Sequence, residues 1–163
     1  MKIPRVMLFL LAYLLILLAV FLLQRKMMYF PARFTQEQQE KLIEGLNLQP
    51  WPSTSEPQGM ISRASLNNAK GTVLVFHGNA GSALHRTYYI DAFQSLGYRV
   101  IIAEYPGYGM HSGTPSEAAL IKDGIVTAKI AWHEFKEPLF LCGESLGSGV
   151  VAGIASGLCI FGR

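Results

Sequence analysis

Pro138-Leu139-Phe140-Leu141-Cys142-Gly143-Glu144-Ser145-Leu146-Gly147 decides how this chain folds. An apolar run enters Gly-x-Ser-x-Gly, and a small-residue stretch from Ser148 to Ser156 follows at helical spacing. The first part reads as a buried strand and the last as a helix. The two glycines allow a turn so tight that a Cβ would clash with backbone. A serine on such a strand-to-helix turn is a nucleophile elbow, with its hydroxyl raised at the end of a sheet. Ser145 is therefore the candidate nucleophile. Leu146, at the start of the following helix, would offer a backbone N–H where unpaired donors and the helix dipole favour negative charge.

Upstream, Thr72–Phe76 and Tyr98–Ala103 are two more apolar runs of strand length, typical of strands buried on both faces. Between them, Leu84–Leu96 has helix length and ends at Gly97, which suits a C-terminal cap. Pro115–Phe135 reads as a second helix, with Thr114 or Ser116 as its cap and Pro115 in the first turn. Met60–Leu66 is a further strand, and the turn-rich Asn67–Gly71 suggests a hairpin with the strand that follows. Alternating buried strands and helices predict an α/β fold with a mostly parallel sheet and flanking helices.

Two loops at strand ends carry polar and glycine residues. His77-Gly78-Asn79-Ala80-Gly81-Ser82 follows the first buried strand. Its glycines let backbone N–H groups face an oxyanion, while His77 is expected to shape the loop by hydrogen bonding rather than to act as base. Glu104-Tyr105-Pro106-Gly107-Tyr108-Gly109 follows the next strand. Such loops line the ligand crevice of parallel sheets, so Tyr105 and Tyr108 are candidate walls. His111 and Ser112 share this loop with no motif around them.

The chain is 163 residues long, 50% hydrophobic and 15% charged, and the apolar excess is uneven. Val6–Leu23 contains no charge, Gly or Pro. As a helix it would be about 27 Å long, close to the hydrocarbon thickness of a bilayer. A cleaved signal peptide has a shorter apolar core and small residues at its cleavage site, whereas this run ends Phe21-Leu22-Leu23-Gln24-Arg25. The expectation is a single-pass N-terminal membrane anchor over residues 1–27. Lys2, Arg5 and the amino terminus balance Arg25, Lys26 and Arg33, so charge selects no orientation. Residues 28–59 read as a linker containing one short helix. Thr35 and Gln38 form a capping-box pattern for a helix reaching about Leu46. Leu48–Gly59, with Pro50, Pro52 and Pro57, reads as loop, and Trp51 as a surface-packed ring. Residues 60–163 form the α/β part.

The net charge of +3 comes largely from the residues flanking the anchor. No basic stripe interleaves with aromatics, so nucleic acid is not an expected partner. Cys142 and Cys159 have neither metal-ligand nor redox spacing, and Cys142 reads as a small buried hydrophobe. No metal site or organic cofactor is expected.

The order His77-Gly78-Asn79-Ala80-Gly81, Tyr105-Pro106-Gly107-Tyr108-Gly109, Gly143-Glu144-Ser145-Leu146-Gly147 resembles the α/β-hydrolase superfamily, and in detail its membrane-anchored Bem46-like branch. The resemblance covers about Ala64 to Ala155. It implies a serine hydrolase acting on esters, thioesters or acyl lipids, with a small-molecule or lipid acyl substrate. Position by position it makes Ser145 the nucleophile and the N–H groups of Asn79 and Leu146 the oxyanion donors. The family often has Asp where Glu104 stands and Arg where Pro106 stands.

In the superfamily the acid and the histidine follow the nucleophile. No Asp, Glu or His follows Ser145 here; the histidines are His77, His85, His111 and His133, and the aspartates Asp91 and Asp123. Asp123, inside a helix, is expected to cap, pair or pack there. The reading is thus of the amino-terminal part of a hydrolase, truncated after the elbow helix, with little or no turnover. A serine without its base keeps only about 10³–10⁴-fold catalysis over water. Two other readings stand beside it: a non-catalytic membrane-tethered binding module, and a non-functional gene remnant.

Overall fold

A computed structural model describes residues 4–64, 66 and 68–161. Lys2 of the anchor flank, Asn67 of the expected hairpin turn, and Gly162 and Arg163 lie outside the described residues. The chain divides into two compact units, Met1–Phe30 and Pro31–Arg163.

The first unit is one helix, α1 (Arg5–Met28), entered through Pro4. None of its residues is buried, and its mean hydropathy reaches 3.2 over 18 residues. It is long and apolar enough to cross a membrane, and a helix apolar all round fits lipid better than water.

The second unit opens with α2 (Gln36–Gly45), where Thr35 and Gln38 close the expected capping box. Four short strands and a fifth at the elbow build one sheet: β1 (Leu48–Trp51), β2 (Gly59–Ser62), β3 (Thr72–Phe76), β4 (Arg99–Ala103) and β5 (Leu139–Gly143). Their order is β1-β2-β4-β3-β5. β3 pairs in parallel with β4 and β5, while β1–β2 and β2–β4 are antiparallel. The helices are α3 (Tyr88–Gln94), preceded by a 3-10 turn at Ala83–Arg86, α4 (Glu117–Phe135) and α5 (Leu146–Phe161).

This is an α/β fold, a mixed sheet with helices on both faces. Every residue of β3 is buried, each large apolar side chain contributing about 1.5–3 kcal/mol. Val73, Val75, Val100 and Ile102 share one core with Ile43 of α2 and Ile90 of α3. Phe76 turns to the other face, where a Cβ on Gly124 of α4 would press on both its ring and Ile154 of α5. Gly153 of α5 lies against Ile121 and Gly157 against Ile125 in the same way, so missing side chains on α5 let the two helices close.

Three expectations are corrected. Leu48–Trp51 is a strand rather than loop, because Pro50 sits on the outermost strand, where a missing N–H leaves no ladder bond unmade. Its partner is Gly59–Ser62, which then pairs with β4, so the expected hairpin between β2 and β3 does not form. Trp51 is buried rather than on the surface: its indole Nε1 donates to Glu134 Oε2 at 2.9 Å and its ring stacks on Phe135.

Candidate active site

The register of the sheet brings three strand ends level. Phe76 pairs with Ala103 on one side and with Gly143 on the other. The next residues, His77, Glu104 and Glu144, therefore open three adjacent loops.

The loop after β5 is the elbow. Glu144 N–H donates to Phe76 O at 2.9 Å, Gly147 N–H to Glu144 O at 2.8 Å and Ser148 N–H to Ser145 O at 2.9 Å. Between these bonds Ser145 has φ +52°. A serine in this left-handed region is uncommon, and such strain, about 1–3 kcal/mol, persists where the surroundings enforce it. Here the surroundings are backbone. A Cβ on Gly147 would overlap the Phe76 carbonyl, and one on Gly143 would lie 2.6 Å from Gly147 and Ser148 backbone. Ser145 itself is exposed, and Leu146 begins α5 directly behind it.

The loop after β3 lies against the elbow. A Cβ on Gly78 would sit 3.7 Å from the Ser145 Cβ and 3.0 Å from Glu144 Oε1. His77, fully buried, holds the loop's base. Its Nδ1 is 2.7 Å from Gly78 O and its Nε2 3.0 Å from Glu104 Oε1. The second Glu104 oxygen accepts the Ala83 N–H at 3.1 Å. Both ring nitrogens of His77 are thus engaged away from Ser145.

Tyr105 and Tyr108 do not wall a crevice. Both are buried, and their hydroxyls donate at 2.7 Å to the carbonyls of His77 and Asn79 respectively. A buried tyrosine needs a partner for its hydroxyl, and here the loop's backbone supplies it. Burial raises the Tyr105 phenol far above its ordinary range, so it stays a neutral donor.

Sequence reasoning missed the charges around the elbow. Arg86 Nε lies 3.2 and 3.0 Å from the two Glu144 oxygens, and its Nη2 donates to Ala80 O at 3.2 Å. The hydroxyls of Tyr88 and Tyr89 add bonds of 2.9 and 3.4 Å to Glu144 Oε2. Burial opposes ionisation of Glu144, but Arg86 and Tyr88 outweigh it and hold the carboxyl below its usual range. Burial and the neighbouring carboxylate push Tyr89 up to about 12. The one available signal was a Glu in the variable position of the elbow with an Arg in the turn after the glycine loop.

The other imidazoles are elsewhere. His85 Nδ1 is 3.0 Å from Ser82 Oγ, and His111 Nε2 is 3.1 Å from Asp123 Oδ1. This pairing is the role Asp123 takes within α4, and it raises the His111 pKa against opposing burial. His133 is exposed on α4. Among the described residues no imidazole is hydrogen-bonded to Ser145. Cys142, expected to be buried, is only half-buried on β5, where partial burial still pushes its thiol pKa up. Among the described residues no three His, Cys, Asp or Glu side chains gather so as to hold a metal ion.

The chain is similar in sequence to known proteins. The family model described as serine aminopeptidase, S33, matches residues 67–157. The lysophosphatidylserine lipase ABHD12 of Danio rerio is 32% identical over 129 residues, which is 71% of this chain and 33% of the relative. That of Bos taurus is 32% identical over 112 residues, covering 67% of this chain and 28% of the relative. An uncharacterized Mycobacterium tuberculosis protein is 29% identical over 148 residues, 81% of this chain and 49% of its own length. The chain spans about a third or less of the lipases it matches.

Proposed function

We propose, from the premise that this chain belongs to the S33 serine aminopeptidase family of the α/β-hydrolase superfamily, that it carries the nucleophile and oxyanion half of a membrane-anchored hydrolase of lipid acyl esters. Ser145 Oγ attacks the acyl carbon, and the N–H groups of Asn79 and Leu146 receive the negative charge on the carbonyl oxygen. Collapse expels the alcohol and leaves an acyl-serine, which water then cleaves. The observation that carries this reading is the left-handed backbone of exposed Ser145, wedged between β5 and α5 beside the Gly78 turn. The lipid substrate class is supported by the lipase relatives, and the anchor by the apolar helix α1.

The attacking hydroxyl must lose a proton, and among the described residues no imidazole is hydrogen-bonded to it. We therefore expect the chain by itself to turn over slowly.

A fluorophosphonate probe tests both the nucleophile and the slow turnover. Slow labelling confined to Ser145, and abolished by Ser145→Ala, is the expected result. Labelling elsewhere, or none, removes Ser145 as nucleophile. Labelling as fast as that of an intact serine hydrolase removes the claim that a base is missing.

A further inference from the structure

Three donors, Arg86 Nε and the hydroxyls of Tyr88 and Tyr89, converge on Glu144, the elbow side chain that the proposed reaction does not use. Its backbone belongs to the elbow, tied to Phe76 O and Gly147 N–H at 2.9 and 2.8 Å. Its carboxylate faces the glycine loop, whose Gly78 leaves only enough space for it. Arg86 spans the two. Its Nε holds the carboxylate next to Ser145, and its Nη2 holds the Ala80 carbonyl next to Asn79.

We propose that Arg86 is a positioning residue: by clamping Glu144 to the Ala80 carbonyl it sets the spacing between the Asn79 and Leu146 N–H groups. The inference rests on the reading of Ser145 as nucleophile. The guanidinium suits the task because it is planar and carries five donors in fixed directions, so one side chain can bond two acceptors on different segments. A lysine ammonium has three donors but on a flexible stem and in no fixed plane, so it holds two such acceptors less rigidly. The clamp also settles an electrostatic conflict. A carboxylate beside the nucleophile repels the oxyanion that forms there. Arg86 and the hydroxyls of Tyr88 and Tyr89 hold that carboxylate turned onto themselves, with the Glu144 and Arg86 side chains only 28% and 16% exposed.

The test uses the full chain in detergent micelles and two readouts: amide hydrogen exchange of the 78–82 segment, and the rate of fluorophosphonate labelling at Ser145. Arg86→Ala is expected to speed exchange in that segment and slow labelling, each on the order of tenfold, as loss of a charge-assisted hydrogen bond implies. Exchange in β1 and β2 stays unchanged. Arg86→Lys does not restore either readout, and Arg86→Ala combined with Glu144→Gln is no worse than Arg86→Ala alone. If Arg86→Ala does not fold, Glu144→Gln, which keeps the side-chain volume, carries the same two readouts. Unchanged exchange, full rescue by lysine, or additive effects would overturn the clamp, as would faster exchange with unaltered labelling. Absence of labelling in the unmodified chain would remove the nucleophile instead, and the exchange readouts would still decide whether Arg86 holds the loop.

Discussion

The Tyr108 hydroxyl donates to the Asn79 carbonyl across 2.7 Å, joining the loop after β4 to the loop after β3. The bond is part-buried, with the buried Tyr108 ring edge-on to His77 and Tyr105. The peptide group on which it acts follows directly on the N–H assigned to the oxyanion. Tyr108→Phe removes the donor and keeps the ring. It should cost about 0.5–1.5 kcal/mol of stability, read as a lower midpoint in urea, and should slow labelling of Ser145 more than that of surface nucleophiles.

The elbow makes a sharper demand. Gly147 has the Phe76 carbonyl where a side chain would begin, and both are backbone, so neither can step aside. Gly147→Ala should destabilise the fold by about 3 kcal/mol or more, the upper range for an overpacked interior. Gly149, two residues on, has open space around it, and Gly149→Ala in the same helix should be neutral or slightly stabilising. Thermal melts of the two variants side by side separate the elbow's requirement from a general dislike of alanine in α5.

What could be read without coordinates was what depends on near neighbours in sequence. The runs at Thr72–Phe76, Arg99–Ala103 and Leu139–Gly143 are strands on the strength of their own composition, and the Gly-x-Ser-x-Gly turn is local chemistry. Only the first two are buried, while Leu139–Gly143, expected buried, lies at the end of the sheet order half-buried with Phe140 exposed. What could not be read depends on partners far away. Pro50 hid a strand because proline usually breaks one, and only its place at the sheet edge makes it harmless. Tyr105 and Tyr108 sit on the right loops, but whether a ring faces solvent or core is fixed by His77 and Asn79, 28 and 29 residues earlier. Arg86 and Glu144 are 58 residues apart, with no periodicity to link them.

The pairing of His111 with Asp123 gives stability a pH dependence. The hydrogen bond to Asp123, with attraction from Asp123 and Glu104, raises the His111 pKa against burial. A histidine whose folded pKa is raised contributes fully below its unfolded value, about 6.5, and the contribution fades as pH rises through the folded value. The stability difference between the unmodified chain and His111→Asn should therefore be largest on the acid side of about pH 6.5 and shrink toward alkaline pH. Denaturant midpoints across that range check the sign. A difference that grew with pH would mean the imidazole is stabilised neutral.

Trp51 anchors the other end of the sheet. It is 4% exposed, bonded to Glu134 and stacked on Phe135 at a centroid distance of 6.3 Å. Trp51→Ala opens a cavity and should cost about 3–5 kcal/mol. It also strips the Glu134 carboxylate of a partner. Trp51→Phe loses the hydrogen bond but fills most of the space, so it should cost well under half as much. Equal losses from the two would show that the indole N–H, not the packing, carries the contribution.

The apolar helix α1 makes a prediction independent of the sheet. None of its side chains is buried by protein, and its only charges lie at the two ends, Arg5, Arg25 and Lys26. A helix of this kind enters a bilayer because each central Leu, Ile, Phe or Val favours the transfer, whereas a central Lys or Arg opposes it by about 2.5–3.5 kcal/mol. Leu15→Arg places such a charge at mid-helix. The unmodified chain should stay with membranes through alkaline carbonate extraction, and Leu15→Arg should move a measurable share into the soluble fraction. Leu15 belongs to the unit Met1–Phe30 and contributes nothing to the core of the sheet, so the sheet's thermal transition in detergent should not change. Extraction of the unmodified chain by carbonate would leave α1 as a peripheral or cleaved segment and remove the anchor from the proposed function.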